Sequence, residues 1–377
     1  MRRTFLKSMA AAALAATALS GTARAQGAEV KLGVIMSNTG TFAFVGVPVI
    51  NAVRLAHEEM VASGYFGGTK VTLMVEDNRS DKQEAATLIN RMATRDNAIM
   101  FIGPVSTGEA MAVAPLAVEL KIPMFTTATA PDVLKAGPWI FKSTETAEQF
   151  MTPLGKHVAE KIKPKNCMFV TIRDNDGYIR QKNILRDVMK EGGVGVAGAE
   201  SIRAADSAFT AIATKIAASK ADCLYLGTPP EQGANLVIQA RQAGMPASTV
   251  LVGNTGMGSA RYVNAGGKAV DGTIISAEFL PTGVNEMSRK FIENYTKKFN
   301  TPPDSWAAVG YSMMLIAGNA IKAAGPNPTR DGVREAMAKT KDLPVVVGQG
   351  KFSLDAERIP SFGAAVLVLK DGKWTQP

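Results

Sequence analysis

Short runs of aliphatic and β-branched residues alternate along the chain with longer stretches whose apolar positions recur every three or four residues. KLGVIMS, from Lys31, is followed by VINAVRLAHEEMVASG, which places Ile50, Val53, Leu55 and Met60 at helical spacing. VTLMVED, EAATLINRMATRD, AIMFIG, AMAVAPLAVELK and IPMFTT continue the alternation. A second series runs from NCMFVTI through LRDVMKEGG, VGVAGAES, AFTAIATKIAAS, DCLYLG, ANLVIQARQAG and TVLVGN to TIISAEF. Strands that are apolar nearly throughout, each followed by a helix, predict parallel sheets covered on both faces. Two such series predict an α/β protein of two doubly wound parallel-sheet lobes. Ser80 with Gln83, and Thr146 with Gln149, have the spacing of a reciprocal helix cap and mark two expected helix starts.

The segment from about 286 to 345 reads as helix, in MSRKFIENYTKKF and AAVGYSMMLIAGNAIKAAG, with too few strands for a third lobe. It must pack on one of the first two lobes, so the chain crosses between them more than once. Open α/β sheets bind ligands beyond the carboxyl ends of their strands. In a two-lobed chain those ends face a cleft.

The N-terminus changes the picture of charge and compartment. MRRTFLKSMAAAALAATALSGTARA has basic residues, a short apolar stretch and an A-x-A site, the layout of a cleavable export signal over residues 1–25. Arg2-Arg3 fits the twin-arginine pattern, and Sec export is the alternative. No cysteine follows the cleavage site, which argues against a lipid anchor. The chain carries 42 basic and 33 acidic residues, +9; without Arg2, Arg3, Lys7 and Arg24 it has 38 against 33, +5. These charges are scattered, so no nucleic-acid-binding face is expected.

Two histidines, His57 and His157, argue against a histidine zinc site or a Ser-His-Asp triad. No cofactor is expected. Cys167 and Cys223 each head an apolar run. Export permits them to pair, but their strand context favours two inert buried thiols.

Three stretches carry candidate chemistry. Gly193-Val194-Gly195-Val196-Ala197-Gly198 has dinucleotide-fingerprint spacing but follows a helix rather than a strand, so it reads as a helix-to-strand turn. Gly103-Pro104-Val105-Ser106-Thr107-Gly108-Glu109 and Thr126-Thr127-Ala128-Thr129-Ala130-Pro131 each end a strand and open a helix. The ordinary role of such hydroxyls is N-capping. Two adjacent helix starts rich in hydroxyls can also cradle an anion. Phe42 and Phe44 lie in a glycine-flanked loop and suggest an apolar pocket wall. Tyr178, in Asp174-Asn175-Asp176-Gly177-Tyr178, either lies on the surface or closes over a ligand, and Trp306 is either core or ligand contact. Arg173 is expected to pair with Asp174 or Asp176.

In their order, VKLGVIMSNTGTFAFVG, VTLMVEDNRSD, FIGPVSTGEAMAVAPLA, IPMFTTATAPDVL and IRDNDGYIRQ closely resemble the periplasmic Leu/Ile/Val-binding protein family. These are type I solute receptors of ABC importers, and the likeness covers nearly all of the chain after the signal. It implies two lobes joined by a three-strand hinge that closes like a flytrap. The lobes would comprise 26–145 plus 279–361, and 146–278 plus 362–377, with GAAVLVLKDG crossing back to the second. By motif, Ser106, Thr107, Thr127 and Thr129 correspond to the family's carboxylate-holding donors, Tyr178 to its second-lobe tyrosine and Trp306 to its aromatic contact.

The departures shape the expected ligand. The family's ammonium-pairing acid is replaced at about its place by Thr255, within Gly253-Asn254-Thr255-Gly256. A second aromatic is replaced by Thr228. The expected ligand is therefore a small carboxylate, aromatic or otherwise, without an α-ammonium, unless Glu231 or Glu278 supplies the missing charge for a hydrophobic amino acid. Transport by a monomer that delivers ligand to an inner-membrane permease is favoured over a purely sensory receptor. The cleft positions offer no nucleophile–base pair, so an enzyme is not expected.

Overall fold

The computed structural model describes residues 28–377; the expected export signal lies outside them. The first half of the chain builds a five-stranded sheet from β1 (Glu29–Met36), β2 (Lys70–Asp77), β3 (Ala98–Ile102), β4 (Met124–Thr126) and β5 (Ile140–Lys142), in the order β2-β1-β3-β4-β5 with every pairing parallel. Helices α1 (Ala43–Ala62), α2 (Lys82–Thr94) and α3 (Thr107–Glu119) connect its strands. The central strand β3 is buried along its whole length, as its unbroken apolar run requires.

After α4 (Ala147–His157) comes a second sheet of β6 (Asn166–Ile172), β7 (Gly195–Ile202), β8 (Cys223–Gly227), β9 (Val250–Gly253) and β10 (Ile274–Ala277). Helices α5 (Asp176–Glu191), α6 (Thr210–Ser219), α7 (Pro230–Gln242) and α8 (Ala260–Gly266) link them. The long segment beyond β10 forms α9 (Glu286–Phe299), α10 (Ser305–Ala323) and α11 (Arg330–Ala338), and α10 packs along α1 beside the first sheet. A small antiparallel sheet of β11 (Leu343–Pro344), β12 (Lys351–Leu354) and β13 (Pro360–Ser361) follows, too short-stranded to show in the hydrophobic pattern. The chain then returns to the second sheet through β14 (Ala365–Lys370), antiparallel to β10, and β15 (Lys373–Thr375).

Several local expectations hold and others shift. Thr146 and Gln149 form the reciprocal cap of α4. The cap of α2 is Asp81, whose carboxylate accepts the Glu84 N–H, not Ser80. Ser80 instead accepts the Phe42 N–H and donates to the Thr39 carbonyl. Helix α1 starts at Ala43, inside the presumed loop. Its Gly46 lies against the end of β1, where a Cβ would come within 2.0 Å of the Ser37 carbonyl oxygen. In the glycine-rich stretch at 193–198, Gly193 and Val194 make the turn out of α5, and the rest from Gly195 is already β7.

The two cysteines are not free thiols. Cys167 and Cys223 sit opposite each other on the neighbouring strands β6 and β8, with Cα atoms 4.3 Å apart, and form a disulfide. The intervening β7 lies at the sheet edge beyond β6, so the chain passes 56 residues before the two strands meet.

Three crossings join the sheets, after β5, after β10 and before β14. Glu145 in the first crossing accepts N–H bonds from Phe362, Gly363 and Ala364 in the third, at 2.8–3.1 Å. Glu278 in the second accepts the Glu145 N–H at 3.2 Å. Lys142, wholly buried beside this knot, has no hydrogen-bond partner for its Nζ among the described residues. Burial pulls its pKa down to about 7, against an opposing pull from Glu278 and Glu148. The unfolded chain then binds more protons than the folded one between pH 7 and 10.5, so this lysine destabilises fully below pH 7 and progressively less toward 10.5. Lys142→Met is expected to melt several degrees higher than the parent at pH 6 to 7, with the gap narrowing by pH 10. Parallel melting curves across that range check it; a gap that does not depend on pH would contradict it.

Candidate ligand-binding site

The carboxyl ends of β1, β3 and β4 form one wall of a chamber. Gly103, at φ +111° and with no room for a Cβ beside the Ile35 carbonyl, turns the chain at the end of β3 toward α3. Ser106 caps α3: its Oγ accepts the Glu109 N–H at 3.2 Å, and Glu109 accepts the Ser106 N–H at 2.7 Å. The buried Glu109 carboxylate also accepts from Ser37 and from the Asn78 amide, tying three strand ends together.

The threonines beyond β4 divide by task. Thr126 donates to the Pro104 carbonyl at 2.7 Å and Thr127 to the Val105 carbonyl at 2.5 Å. A hydroxyl has one hydrogen, so neither side chain can also donate to an anion. Thr127 lines the chamber, but its expected role as a hydroxyl donor is corrected to that of a fastener. Thr107 accepts the Ala130 N–H and keeps its own hydrogen, as does Ser106. Among the described residues the Thr129 hydroxyl has no partner. The chamber wall therefore offers the hydroxyl hydrogens of Ser106, Thr107 and Thr129. The second expected helix start is a short 3-10 turn, Pro131–Ala136, with Ala130 at its head.

The opposite wall comes from the second sheet. Tyr178 projects from the first turn of α5, whose cap Asn175 accepts the Gly177 N–H. Burial, with the Glu231 charge adding to it, raises the Tyr178 phenol well above its ordinary range, so it stays a neutral donor. Gln181, one turn on, accepts the Thr255 N–H at 3.2 Å and lines the chamber with Thr255. Asn175 and Gln181 were missed from the sequence. The helical period counted from Tyr178 would have found Gln181.

Beside Thr255, Asn254 is a structural amide. It donates to the Leu226 and Thr228 carbonyls and accepts the Gly256 N–H. Thr228 is wholly buried, donates to the Pro229 carbonyl and is not part of the chamber wall, which removes it from the candidate site. Phe42, Phe44 and Trp306 form an aromatic side. Phe44 meets the Trp306 ring edge to face at 6.4 Å and the Phe42 ring at 6.3 Å. Nine of the ten expected site residues thus line one chamber.

Among the described residues, no charged side chain lines the chamber. Glu231, an expected alternative, pairs with Arg261 at 3.0 Å outside the chamber. Arg173 forms no ion pair with its neighbours among the described residues, and Asp174 accepts the Ala204 N–H instead. Beside the chamber, Arg180 of α5 reaches Asp132 of the first half at 3.0 Å while also holding Glu148, a half-exposed link across the cleft. Among the described residues no cluster of metal-ligating side chains forms.

A family model described as periplasmic binding protein matches residues 29–373. The chain belongs to that family. Its proteins are solute receptors rather than enzymes, so membership implies an exported periplasmic protein working with an ABC permease. The chain's relatives include Leu/Ile/Val-binding proteins. A Leu/Ile/Val-binding protein of Rhizobium johnstonii is 25% identical over 347 residues, 91% of this chain and 92% of its own length. The leucine-binding protein LivK of Thermotoga maritima superposes with TM-score 0.84 at 25% identity, covering 92% of this chain and 97% of that one. An ABC transporter solute-binding protein of Rhodopseudomonas palustris, solved with 3,4-dihydroxybenzoic acid, superposes with TM-score 0.83 at 21% identity over 92% and 95% of the two chains; at that identity the likeness concerns the fold. The parallel sheets and the return of β14 to the second sheet agree with this type I architecture.

Proposed function

We propose that this receptor captures a small carboxylic acid without an α-ammonium, an aromatic acid in preference, and delivers it to an inner-membrane permease. Residues 26–145 with 279–361, and 146–278 with 362–377, act as the two closing lobes of a monomer. A cleavable twin-arginine signal over residues 1–25 directs it to the periplasm. The observation that carries the reading is that, among the described residues, no charged side chain lines the chamber, with Thr255 at about the place of the family's ammonium-pairing acid. A buried ammonium without a carboxylate partner is costly. A carboxylate can be held by the hydroxyls of Ser106, Thr107 and Thr129 alone, each charge-assisted bond contributing about 1.5 to 3 kcal/mol. The aromatic side of Phe42, Phe44 and Trp306 suits a flat apolar body. The dihydroxybenzoate in the Rhodopseudomonas protein supports the preference by analogy.

A hydrophobic amino acid is the second reading, favoured by the curated relative's name and by Glu278 in a cavity adjoining the chamber. Titration calorimetry of ligand-free protein with leucine, phenylalanine, benzoate and cinnamate separates the two. Benzoate or cinnamate should bind and leucine should not; tight leucine binding with no uptake of either acid would sink the first reading. Thr129→Ala should then weaken acid binding by about 1 to 3 kcal/mol with its melting temperature nearly unchanged.

A further inference from the structure

Behind the chamber, and sharing Thr129, Thr255 and Trp306 with it, lies a second, small cavity. Phe150, Ala277 and Val309 make much of its wall apolar. Yet two of its residues carry buried polar atoms that find no partner among the described residues, Trp306 Nε1 and Glu278 Oε2. Both residues are more than nine-tenths buried, at 8% and 6% exposure. The other Glu278 oxygen accepts the Glu145 N–H, which anchors the side chain to the crossings. Buried polar atoms without partners are uncommon and costly, so this pair calls for an occupant.

We infer that the rear cavity is a subsite for a hydroxyl group at the far end of the bound acid, which makes the ligand a hydroxylated carboxylic acid. This rests on the carboxylate reading above and deepens it. The orphaned indole N–H can only donate, and the orphaned carboxyl oxygen needs a hydrogen. A hydroxyl has one hydrogen and two lone pairs, so it accepts from Trp306 while donating to Glu278. An ammonium has no lone pair and leaves the indole unsatisfied. A second carboxylate sets its own charge against Glu278, and a methyl group strands both atoms. Thr129 lines both cavities, so a molecule held there by its carboxylate extends past Trp306 into the rear one.

The test is calorimetric titration of the full ligand-free protein with benzoate, 4-hydroxybenzoate and leucine, repeated in Trp306→Phe and Glu278→Gln. The hydroxylated acid should bind the parent protein at least tenfold more tightly than benzoate. Trp306→Phe should reduce that ratio to under threefold, and Glu278→Gln should lower it at least threefold, since the amide presents a donor where an acceptor was needed. Benzoate bound as well as its hydroxylated form overturns the subsite alone and assigns the rear cavity to water. A preference that persists in both variants overturns it too, and each variant checks the other if one folds poorly. Leucine binding with neither acid bound overturns the carboxylate reading and the subsite together.

Discussion

Glu145→Ala is expected to lose about 3 to 5 kcal/mol of folding stability, because it deletes a buried acceptor from the point where the crossings meet. The side chain is 4% exposed and accepts the N–H groups of Phe362, Gly363 and Ala364. Alanine leaves those three donors facing a void, and an orphaned buried donor costs about 1 to 3 kcal/mol. Water entering the void reduces the sum, which sets the lower bound. Glu145→Gln is the informative companion. The oxygen that accepts Phe362 and Gly363 can be kept, and only the bond to Ala364 is lost, so about 1 to 2 kcal/mol is expected. Urea unfolding of the three proteins measures the series. An alanine variant within 1 kcal/mol of the parent would show that Glu145 does not fasten the crossings.

Removing the disulfide by Cys167→Ala with Cys223→Ala is expected to cost about 2 to 4 kcal/mol. The bond closes a loop of 56 residues of sequence separation that contains α5, β7 and α6. A loop of that length restricts the unfolded chain substantially, with a chain-entropy value of about 4 kcal/mol. Both sulfurs are wholly buried, so reductant should act only on unfolded molecules. The parent protein should therefore show no reactive thiol in guanidinium until reductant is added, and its urea midpoint should fall only under reducing conditions. Two thiols titrating in the unreduced protein, with a midpoint indifferent to reductant, would contradict the bond.

The cysteines also show where sequence reasoning runs out. Each heads an apolar run, which is legible, but their adjacency depends on β7 joining the outer edge of β6 and leaving the inner edge to β8. No local pattern encodes that order. The alternation of strands and helices was legible because each central strand is buried on both faces and each covering helix on one. The start of α1 was hidden by Gly46 and Pro48, residues that usually mark loops; here Gly46 is demanded by its contact with Ser37.

The site divides in the same way. Strand ends told which hydroxyls approach the cleft, since ligands gather there in parallel sheets. They could not tell that Thr127 faces the Val105 carbonyl while Thr129 faces nothing, because that follows from the register placing Phe101 beside Met124. Thr228 was misplaced for a related reason, its hydroxyl turned onto the next peptide carbonyl. Glu278 was visible as a nearby acid, but its orphaned oxygen emerges only when the crossings are folded together.

In the closing motion proposed above, the knot at Glu145 would serve as the fulcrum. A rotation that preserves its hydrogen bonds displaces each atom in proportion to its lever arm, so the recess beside Glu278, itself bonded to the knot, would scarcely move while atoms farther out travel more. In that motion the innermost end of the cargo would then be the last to be let go.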